Sequence, residues 1–426
     1  MRAPLSWLRD FAPFAGDPAE LAATFDDLGM VVEGVERIGE GLGDVVIAKV
    51  LEIDGIKGAD KIRRVVVDVG GAEPLQVVCG AWNFDVGAVV PFVGVGAVLP
   101  GGFEIGRRKM KGVESNGMIC SANELGLGDD HAGIMVLPEG LEPGTPLVDV
   151  LPIRDQVLDV TPTVNRVDLL SMAGLAREVA ALLGGELHLP DPDDPPVVDA
   201  EPVDVTVDDL HGCPRYIGRI FRDVAIGPSP QWLRTRLYLA EMRSISNVVD
   251  VTNYVMHVWG SPLHAFDRAK LAGGRIVVRR ARAGEELRTL DGTLRRLDPD
   301  DLLITDGEKA VALAAIMGGE DSEVTGSTTE VLLEAANFEP LGILRTSEKL
   351  ALRTAGSNRW EKGVDPHSAE PAAVLASRML VDLAGARMTG HLDVHDGLPE
   401  RPVVRFRPGR AASLIGVDVP AEEQLA

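Results

Sequence analysis

Between residues 246 and 260, apolar side chains recur at steps of three and four residues, a spacing that predicts an amphipathic helix. Ser246 or Asn247 can cap its start, because a short side-chain oxygen satisfies the free N–H groups of a first turn. Gly260 and Pro262 are expected to end it. The apolar stripe consists of Val248, Val251, Val255 and Val258.

The opposite face of this predicted helix is polar, and a second polar group follows its end. Asp250, Asn253 and His257 lie on that face, with Thr252 beside them. The residues expected in a turn beyond the helix are His264, Phe266 and Asp267. From residue types alone two interpretations stay open: caps, a surface threonine and a loop histidine, or the side chains of a functional site.

Other patterns predict the surroundings of this helix. Between residues 44 and 100, short β-rich runs alternate with Gly and Pro, which predicts a small barrel. Residues 171–183 carry an apolar helical stripe that ends at Gly184. Residues 190–202 are rich in Pro and Asp and lack periodicity, which predicts a linker. Further strands are predicted at 30–38, 275–281, 301–306, 309–317 and 330–336.

The composition is that of a globular chain with several domains: 426 residues, 45% of them hydrophobic and 25% charged. A formal net charge of −23 argues against sequence-independent nucleic-acid binding through a broad basic surface. A nucleic-acid partner touched at local basic patches remains compatible with this charge. The clearest patch is Arg107, Arg108, Lys109 and Lys111. It fits either a contact with phosphates or a solvated hairpin tip.

The three cysteines, Cys79, Cys120 and Cys213, are far apart and predict neither a zinc site nor a disulfide framework. No apolar run reaches transmembrane length and the N-terminus lacks an apolar signal core, so we expect a cytoplasmic protein without a membrane partner. The sequence contains no P-loop, G-x-G-x-x-G, H-E-x-x-H or G-x-S-x-G motif.

Several motifs resemble the beta subunit of bacterial phenylalanyl-tRNA synthetase, in the same order along the chain. They are MRAPLSWLRDF at the start, VCGA at 78–81, SANELGLGDDHAGI at 121–134, VVDVTNYVM at 248–256 with P-x-H-A-F-D after it, and ALRTAGSNRWEKGVDP at 351–366. One loop departs from the pattern: the family often has His-Pro-Asn where this chain has Ile56-Lys57-Gly58. A nucleic-acid contact of that loop is therefore not carried over.

The resemblance implies a multidomain α+β fold. Its parts are a small discontinuous α/β domain at 1–38 and 152–189, an inserted OB-fold β-barrel of tRNA-binding type at 39–151, the linker at 190–202, a mixed α/β editing module of the B3/B4 type at 203–396, and the incomplete start of a B5-type domain at 397–426. We expect that last segment to open with a strand followed by a helix.

In that family the editing module hydrolyses tyrosine from mischarged tRNA, and the resemblance assigns its site to particular residues. The expected catalytic residues, which would orient the ester or the attacking water, are His264, Thr252 and Asn253. Glu334 is expected to accept the phenolic O–H of tyrosine, a group that phenylalanine lacks. The expected walls are Gly318, Thr354, Ala355 and Gly356, the last of which is often Ala in the family. Arg243 is expected to meet tRNA phosphate or ester oxygens.

The same resemblance sets the expected cofactors and partners. No metal or cofactor is expected on this chain, whereas ATP and Mg²⁺ are expected for the full enzyme, an α2β2 assembly whose catalytic alpha subunit charges tRNA(Phe). Three functions stay open. The chain could be an editing-competent part of the synthetase, a truncated chain that serves only tRNA binding or assembly, or a multidomain protein that binds a small molecule without catalysis.

Overall fold

The computed structural model describes residues 1–127 and 133–425. Its first segment contains strand β1 (Arg2–Pro4), helix α1 (Leu5–Phe11), helix α2 (Pro18–Asp27) and strand β2 (Met30–Ile38). Asp17 caps α2, because its carboxylate accepts a hydrogen bond from the Ala19 amide at 2.9 Å. Leu21 and Phe25, one helical turn apart, are buried beneath it.

The β-rich region forms a barrel-like sheet, as its pattern predicts. Its elements are β3 (Val45–Ile56), β4 (Ala59–Asp68), β5 (Leu75–Cys79), β6 (Val89–Val93), β7 (Arg108–Met110), β8 (Val113–Ser115), β9 (Met118–Ile119) and a short helix α3 (Leu147–Val150). Antiparallel pairing gives the order β5-β4-β3-β6-β9. The Asn116 amide donates to the Gln76 carbonyl at 2.9 Å, which brings the two edges of the sheet together and nearly closes the barrel.

The chain then returns to its first segment. Strand β10 (Asp155–Pro162) lies between β1 and β2 and is antiparallel to both. A 3₁₀ turn (Val167–Leu170) leads into helix α4 (Met172–Leu183), which packs against α1 and ends at Gly184 with a φ of 65°. The segments that precede and follow the barrel in the chain thus form one unit, which we call the N-terminal unit. The exact domain boundaries stay a prediction.

The rest of the described chain is a layered α/β module. Its strands are β11 (Asp204–Val207), β12 (Arg215–Arg222), β13 (His264–Asp267), β14 (Arg275–Arg280), β15 (Glu286–Arg288), β16 (Leu294–Arg296), β17 (Leu302–Thr305), β18 (Ala310–Leu313), β19 (Met317–Gly318), β20 (Val331–Asn337) and β21 (Arg387–His395). Its helices are α5 (Gln231–Leu239), α6 (Asn247–Trp259), α7 (Pro340–Lys349), α8 (Ser357–Trp360) and α9 (Ala369–Ala384). Single 3₁₀ turns occupy Arg268–Lys270, Ala272–Gly274, Glu320–Ser322 and Pro366–Ser368.

Two sheets and a helical layer position the site. A four-stranded antiparallel sheet has the order β13-β20-β12-β21, and a five-stranded sheet has the order β11-β14-β17-β18-β19. One face of the four-stranded sheet, which carries Ala265 and Leu333, packs with α6 and α9. The other face, which carries Phe266 and Leu332, packs against the five-stranded sheet. Successive side chains of a strand point to opposite faces of the sheet. One face therefore contributes to a core shared with α6 and α9, and the other to a core between the two sheets.

The predicted linker follows the surface of the module. Residues 190–202 contain neither helix nor strand. Asp194 nevertheless pairs with the buried Arg219 at 2.5 Å, and Glu201 pairs with Arg222 at 2.6 Å. The linker is irregular, as its composition predicts, but these ion pairs with β12 hold it against the module.

The expected strand near the C-terminal end is wrong for the described residues. Residues 401–407 form no strand, and helices α10 (Pro408–Ile415) and α11 (Ala421–Leu425) follow. Val403 and Val404 are 101% and 80% exposed. A β-rich segment needs a neighbouring strand for its backbone hydrogen bonds, and the described chain offers none there. No helix of residues 1–127 and 133–425 combines the length and apolar character that crossing a membrane requires.

Candidate active site

Helix α6 is the structural support of the site, and its limits are those predicted. Ser246 caps its start by accepting a hydrogen bond from the Val249 amide at 3.4 Å, and Gly260 ends it with a φ of 70°. The predicted stripe is fully buried; it consists of Val248, Val251, Val255 and Val258. The helical period of these side chains therefore determined which face of the helix meets the core.

The polar face of α6 is not a solvated face. Asp250 is completely buried and His257 is 5% exposed. The Asp250 carboxylate accepts hydrogen bonds from the hydroxyls of Ser229 and Ser244, both at 2.5 Å, and from the Ile245 amide at 2.7 Å. Ser229 precedes α5, and Ser244 and Ile245 precede α6, so Asp250 ties the start of α6 to both segments and does not line the cavity.

The expected turn after α6 is a strand, which is the main local correction to the sequence analysis. His264, Phe266 and Asp267 lie in β13, the edge strand of the four-stranded sheet. His264 stands directly opposite Glu334 of β20 in antiparallel register. Side chains at opposed positions share one face of a sheet and lie about 5 Å apart at their Cβ atoms. This pairing joins two polar groups that are 70 positions apart.

A cavity of about 370 Å³ opens at this edge of the sheet. That volume is in the range of small-ligand sites, roughly 300–1,000 Å³. All eight residues expected to form the pocket line it: Thr252, Asn253, His264, Gly318, Glu334, Thr354, Ala355 and Gly356. Five segments far apart in the chain thus contribute to one concave surface.

Most of the remaining lining is apolar and was not predicted from the sequence. These residues include Val249, Met256, Leu290, Ile316, Phe338 and Trp360. Val249 and Met256 lie three or four positions from Thr252 and Asn253 on α6, so helical spacing could have identified them. No local pattern marks Leu290 or Phe338, because only the packing of separate strands brings them to the cavity.

Gly318 keeps room for the His264 ring. A Cβ added at Gly318 would lie 2.6 Å from Cε1 and 2.8 Å from Nε2 of His264. Real Cβ atoms do not approach other atoms so closely, so only glycine is compatible with this ring position. Gly356 is less constrained, because a Cβ there would be 3.4 Å from the nearest atom, the Ala315 carbonyl oxygen.

Glu334 is buried inside β20 and is not exposed at a strand end. It is 6% exposed, and its Oε2 atom has no hydrogen-bond partner among the described residues. Burial raises the pKa of this carboxyl to about 7, an effect opposed by the nearby Tyr216 hydroxyl. The cavity therefore contains an unpaired carboxyl oxygen whose charge changes close to neutral pH.

His264 is neutral at physiological pH. Protein atoms surround its ring although one side borders the cavity, and this burial lowers its pKa to about 4. The ring packs edge-on against Phe266, with centroids 4.5 Å apart. A neutral imidazole carries one donor and one acceptor nitrogen, so it can orient a water molecule or an ester oxygen.

Two threonine hydroxyls at the cavity are held by backbone carbonyls. Thr252 Oγ1 donates to the Val249 carbonyl at 2.7 Å, and Thr354 Oγ1 donates to the Ile316 carbonyl at 3.0 Å. The Thr354 hydroxyl also accepts a hydrogen bond from the Ser357 amide at 3.1 Å, and each hydroxyl oxygen keeps at least one acceptor lone pair. The Thr354 contact also ties residues 354–356 to the strand segment before Gly318, so two walls of the cavity are directly connected.

The residues expected to contact tRNA lie outside the cavity. Arg243 is exposed, next to Met242 and close to Ile245, both of which line the opening. The basic cluster occupies the β7–β8 hairpin, whose tip has positive φ at Lys111 (48°) and Gly112 (86°). Its members are all exposed: Arg107, Arg108, Lys109 and Lys111. Part of the SANELGLGDDHAGI motif, residues 128–132, lies outside the described residues.

No group of three or more His, Cys, Asp or Glu side chains is arranged to hold a metal ion within residues 1–127 and 133–425. The expectation of metal-free hydrolysis stays a prediction. All three cysteines are buried and unbridged.

Two regions of this architecture match known domain families. Residues 45–146, the barrel, match the putative tRNA binding domain, and residues 212–385 match the B3/4 domain. Every cavity residue lies within the second match.

Curated relatives match almost the whole chain. The chain is similar to the phenylalanine–tRNA ligase beta subunit of Anaeromyxobacter dehalogenans, with 46% identity over 99% of this chain and 53% of that relative. It is 46% identical to the Geobacter metallireducens beta subunit over the same shares. For the Symbiobacterium thermophilum subunit the identity is 43%, over 99% of this chain and 48% of the relative. The chain spans about half the length of the curated relatives it matches.

Proposed function

The chain belongs to the family of phenylalanine–tRNA ligase beta subunits and matches their N-terminal part, and from that premise we propose that its cavity hydrolyses tyrosine from mischarged tRNA(Phe). The observation that carries this proposal is the cross-strand pair of His264 and Glu334. It places a neutral imidazole and an unpaired carboxyl oxygen side by side in one cavity, with Gly318 leaving room for the ring.

Tyrosine is selected by the carboxyl group. A phenolic O–H that reaches Glu334 Oε2 gives this buried oxygen a hydrogen-bond partner. Phenylalanine leaves the oxygen unpaired, and an unmet buried acceptor costs about 1–3 kcal/mol, more when it is charged. The apolar lining, including Phe338 and Trp360, accommodates the rest of the aromatic side chain.

Hydrolysis of the ester needs a positioned water and stabilisation of the developing oxyanion. In this proposal His264 orients the water, and Thr252 and Asn253 orient the ester. Because its pKa is about 4, His264 is unprotonated at neutral pH but a weak base. Its contribution is therefore chiefly geometric, and a hydroxyl of the tRNA ribose can share the proton transfer.

Deacylation of tyrosyl-tRNA(Phe) by the purified chain tests this function. We expect turnover by the wild-type chain, a loss in His264→Ala, and slower hydrolysis of phenylalanyl-tRNA(Phe). A folded wild-type chain that hydrolyses neither ester would refute editing by these residues alone. It would favour the alternative that the chain serves tRNA binding or assembly without hydrolysis.

The complete enzyme is proposed to be a cytoplasmic assembly with an alpha subunit, α2β2 in composition. The amino-acid activation site, with ATP and Mg²⁺, is placed in that alpha subunit. The role of this chain is then to accept, in its editing cavity, the ester carried by tRNA.

The interaction with tRNA is proposed to include Arg243, at the cavity opening, and a peripheral patch on the β7–β8 hairpin. The hairpin patch consists of Arg107, Arg108, Lys109 and Lys111. Salt dependence of tRNA binding tests it: replacing all four with Gln should lower the slope of log affinity against log salt by up to about 0.9 for each phosphate that these side chains neutralise. An unchanged slope would mean that the hairpin is only solvated.

A further inference from the structure

Among the residues that the structure describes, Arg359 is a buried cation without a counter-charge. It lies in α8, next to the cavity residue Trp360, and is 5% exposed. Burial lowers the pKa of its guanidinium to about 10, and no carboxylate in the described part of the chain offsets this effect. Burying an unpaired charge is costly, so a side chain in this position requires strong hydrogen-bonding compensation.

The compensation comes from two backbone carbonyls in different parts of the fold. Arg359 Nη1 donates to the Ala355 carbonyl at 2.8 Å, and Nε donates to the Leu170 carbonyl at 3.1 Å. Ala355 is a wall of the cavity, whereas Leu170 ends the 3₁₀ turn of the N-terminal unit. The Ala355 carbonyl precedes Gly356, the N-cap of α8, so it lies outside the helix and takes its donor from the guanidinium.

The end of helix α6 meets the same place. A Cβ added at Gly260 would lie 3.2 Å from Ser171 Cβ and 3.8 Å from the Leu170 oxygen. Leu170 and Ser171, which we call the corner, thus lie next to the end of α6, and the Leu170 carbonyl also accepts from the guanidinium of Arg359. Helix α6 carries Thr252 and Asn253, and the guanidinium binds the carbonyl of the wall residue Ala355.

We propose that Arg359 is a positioning residue: its guanidinium holds the 354–356 wall at a fixed distance from the corner and so makes tyrosine selection in the cavity depend on the N-terminal unit. This inference rests on the proposed editing function. Arg359 touches no substrate; it acts through Ala355. Planar fork geometry is essential, because a lysine ammonium is a single point that cannot satisfy two separated carbonyls in the same way.

The test compares Arg359→Lys and Arg359→Ala with Arg353→Ala as the matched control. Arg353 lies on the same segment, but its side chain is 61% exposed and paired with Glu361. The variants are assayed as the full chain for kcat and KM on tyrosyl- and phenylalanyl-tRNA(Phe), with thermal unfolding measured in parallel. We expect roughly a 10- to 100-fold loss of kcat/KM for the tyrosyl ester in both Arg359 variants, and a smaller tyrosine preference. Arg353→Ala should resemble the wild type.

Chemical rescue separates positioning from general destabilisation. Millimolar guanidinium, far below denaturing concentrations, should enter the space left in Arg359→Ala and restore part of the lost kcat/KM, without effect on Arg353→Ala. Folded Arg359 variants with wild-type kcat/KM and wild-type tyrosine preference would overturn the proposal. Should Arg359→Ala fail to fold, Arg359→Lys decides the question by the same two quantities.

Hydrogen exchange distinguishes failure of this inference from failure of the editing proposal. Amides of residues 354–358 should exchange faster in Arg359→Lys than in the wild type or in Arg353→Ala. If the wild-type chain does not deacylate tRNA, faster exchange still supports the positioning role while editing is refuted. Unchanged exchange in that segment refutes the positioning role whatever the activity.

Discussion

The carboxyl group of Glu334 is both buried and left with one oxygen that has no hydrogen-bond partner among the described residues. The pKa of about 7 is raised above the usual value because the charged form is desolvated. The folded protein therefore holds this proton at pH values where the unfolded chain, with a pKa near 4.5, has released it. The contribution of Glu334 to the free energy of unfolding consequently declines as pH rises from about 4.5 to 7. Such a local loss of stability is typical of functional sites.

We predict that tyrosine preference rises with pH. The ionised carboxylate accepts the phenolic O–H through a charge-assisted bond, so the ratio of kcat/KM for tyrosyl- over phenylalanyl-tRNA(Phe) should increase between about pH 6 and 8 and then level off. Glu334→Gln should lower the ratio about tenfold or more and flatten its pH profile. A variant that keeps both the ratio and the profile would contradict the assigned role.

Gly318 offers a second test at the residue scale. Gly318→Ala forces the His264 ring to move, because the new Cβ would lie 2.6 Å from Cε1. Deacylation should fall roughly 10- to 100-fold with little change in thermal stability, and Gly318→Trp should block the cavity altogether. Gly356→Ala is the matched control, since its Cβ meets nothing closer than 3.4 Å. Equal activity in the two alanine variants would argue against steric control at Gly318.

At the scale of the element, helix α6 shows how a polar residue can belong to a core. Both ring nitrogens of the buried His257 lack hydrogen-bond partners among the described residues. Burial, with smaller effects from Arg359 and the N-terminal amine, lowers its pKa to about 3. The unfolded chain takes up this proton below about pH 6.5, whereas the folded chain does not.

Acid should therefore destabilise the protein through α6. Because the pKa of His257 is lowered in the folded chain, a change from pH 6.5 to pH 5 decreases the free energy of unfolding by about 2 kcal/mol. His257→Leu should lose less stability than the wild type on going from pH 7 to 5, as measured by denaturant titration at each pH. The exposed His211, changed to Leu, serves as the control. A His257→Leu variant as acid-sensitive as the wild type would refute this assignment.

At the scale of the whole molecule, one hydrophobic core joins the N-terminal unit to the layered α/β module. Trp7 of α1 is fully buried and stacks on Tyr254 of α6, with ring centroids 4.9 Å apart and planes 4° from parallel. The barrel interior around Val65 and Val67 belongs to a separate cluster. The first and third parts of the chain thus share one core, whereas strands β4 and β5 of the barrel pack in another.

Trp7→Ala should destabilise both parts that share the core. Truncation of a buried tryptophan costs about 3–5 kcal/mol. Hydrogen exchange should accelerate in β10 and in α6 together, while β4 and β5 keep their protection. Trp82→Ala, a barrel position that is 62% exposed, is the control and should leave α6 unchanged. Faster exchange confined to the N-terminal sheet would show that the two units do not unfold cooperatively.

Part of the site's composition was accessible from the sequence, since the resemblance named eight of the residues that line the cavity. Their roles stay predictions. The environment of these residues was less accessible: the turn assigned to His264 is an edge strand, and the polar face of α6 is buried. The local pattern at His264 was compatible with a turn or a strand, and that of the polar face with exposure or burial. Tertiary contacts selected the strand and the burial.

The sequence by itself determined the features that depend on neighbours within a few positions. The limits and buried stripe of α6 and the end of α4 at Gly184 follow from side-chain period and turn chemistry, which are local. Only the tertiary structure decided the register of His264 against Glu334, the link from Arg359 to Leu170, and the absence of a strand at 401–407 within the described chain. Strand register and buried hydrogen bonds join distant residues, so they are fixed only when the whole core packs.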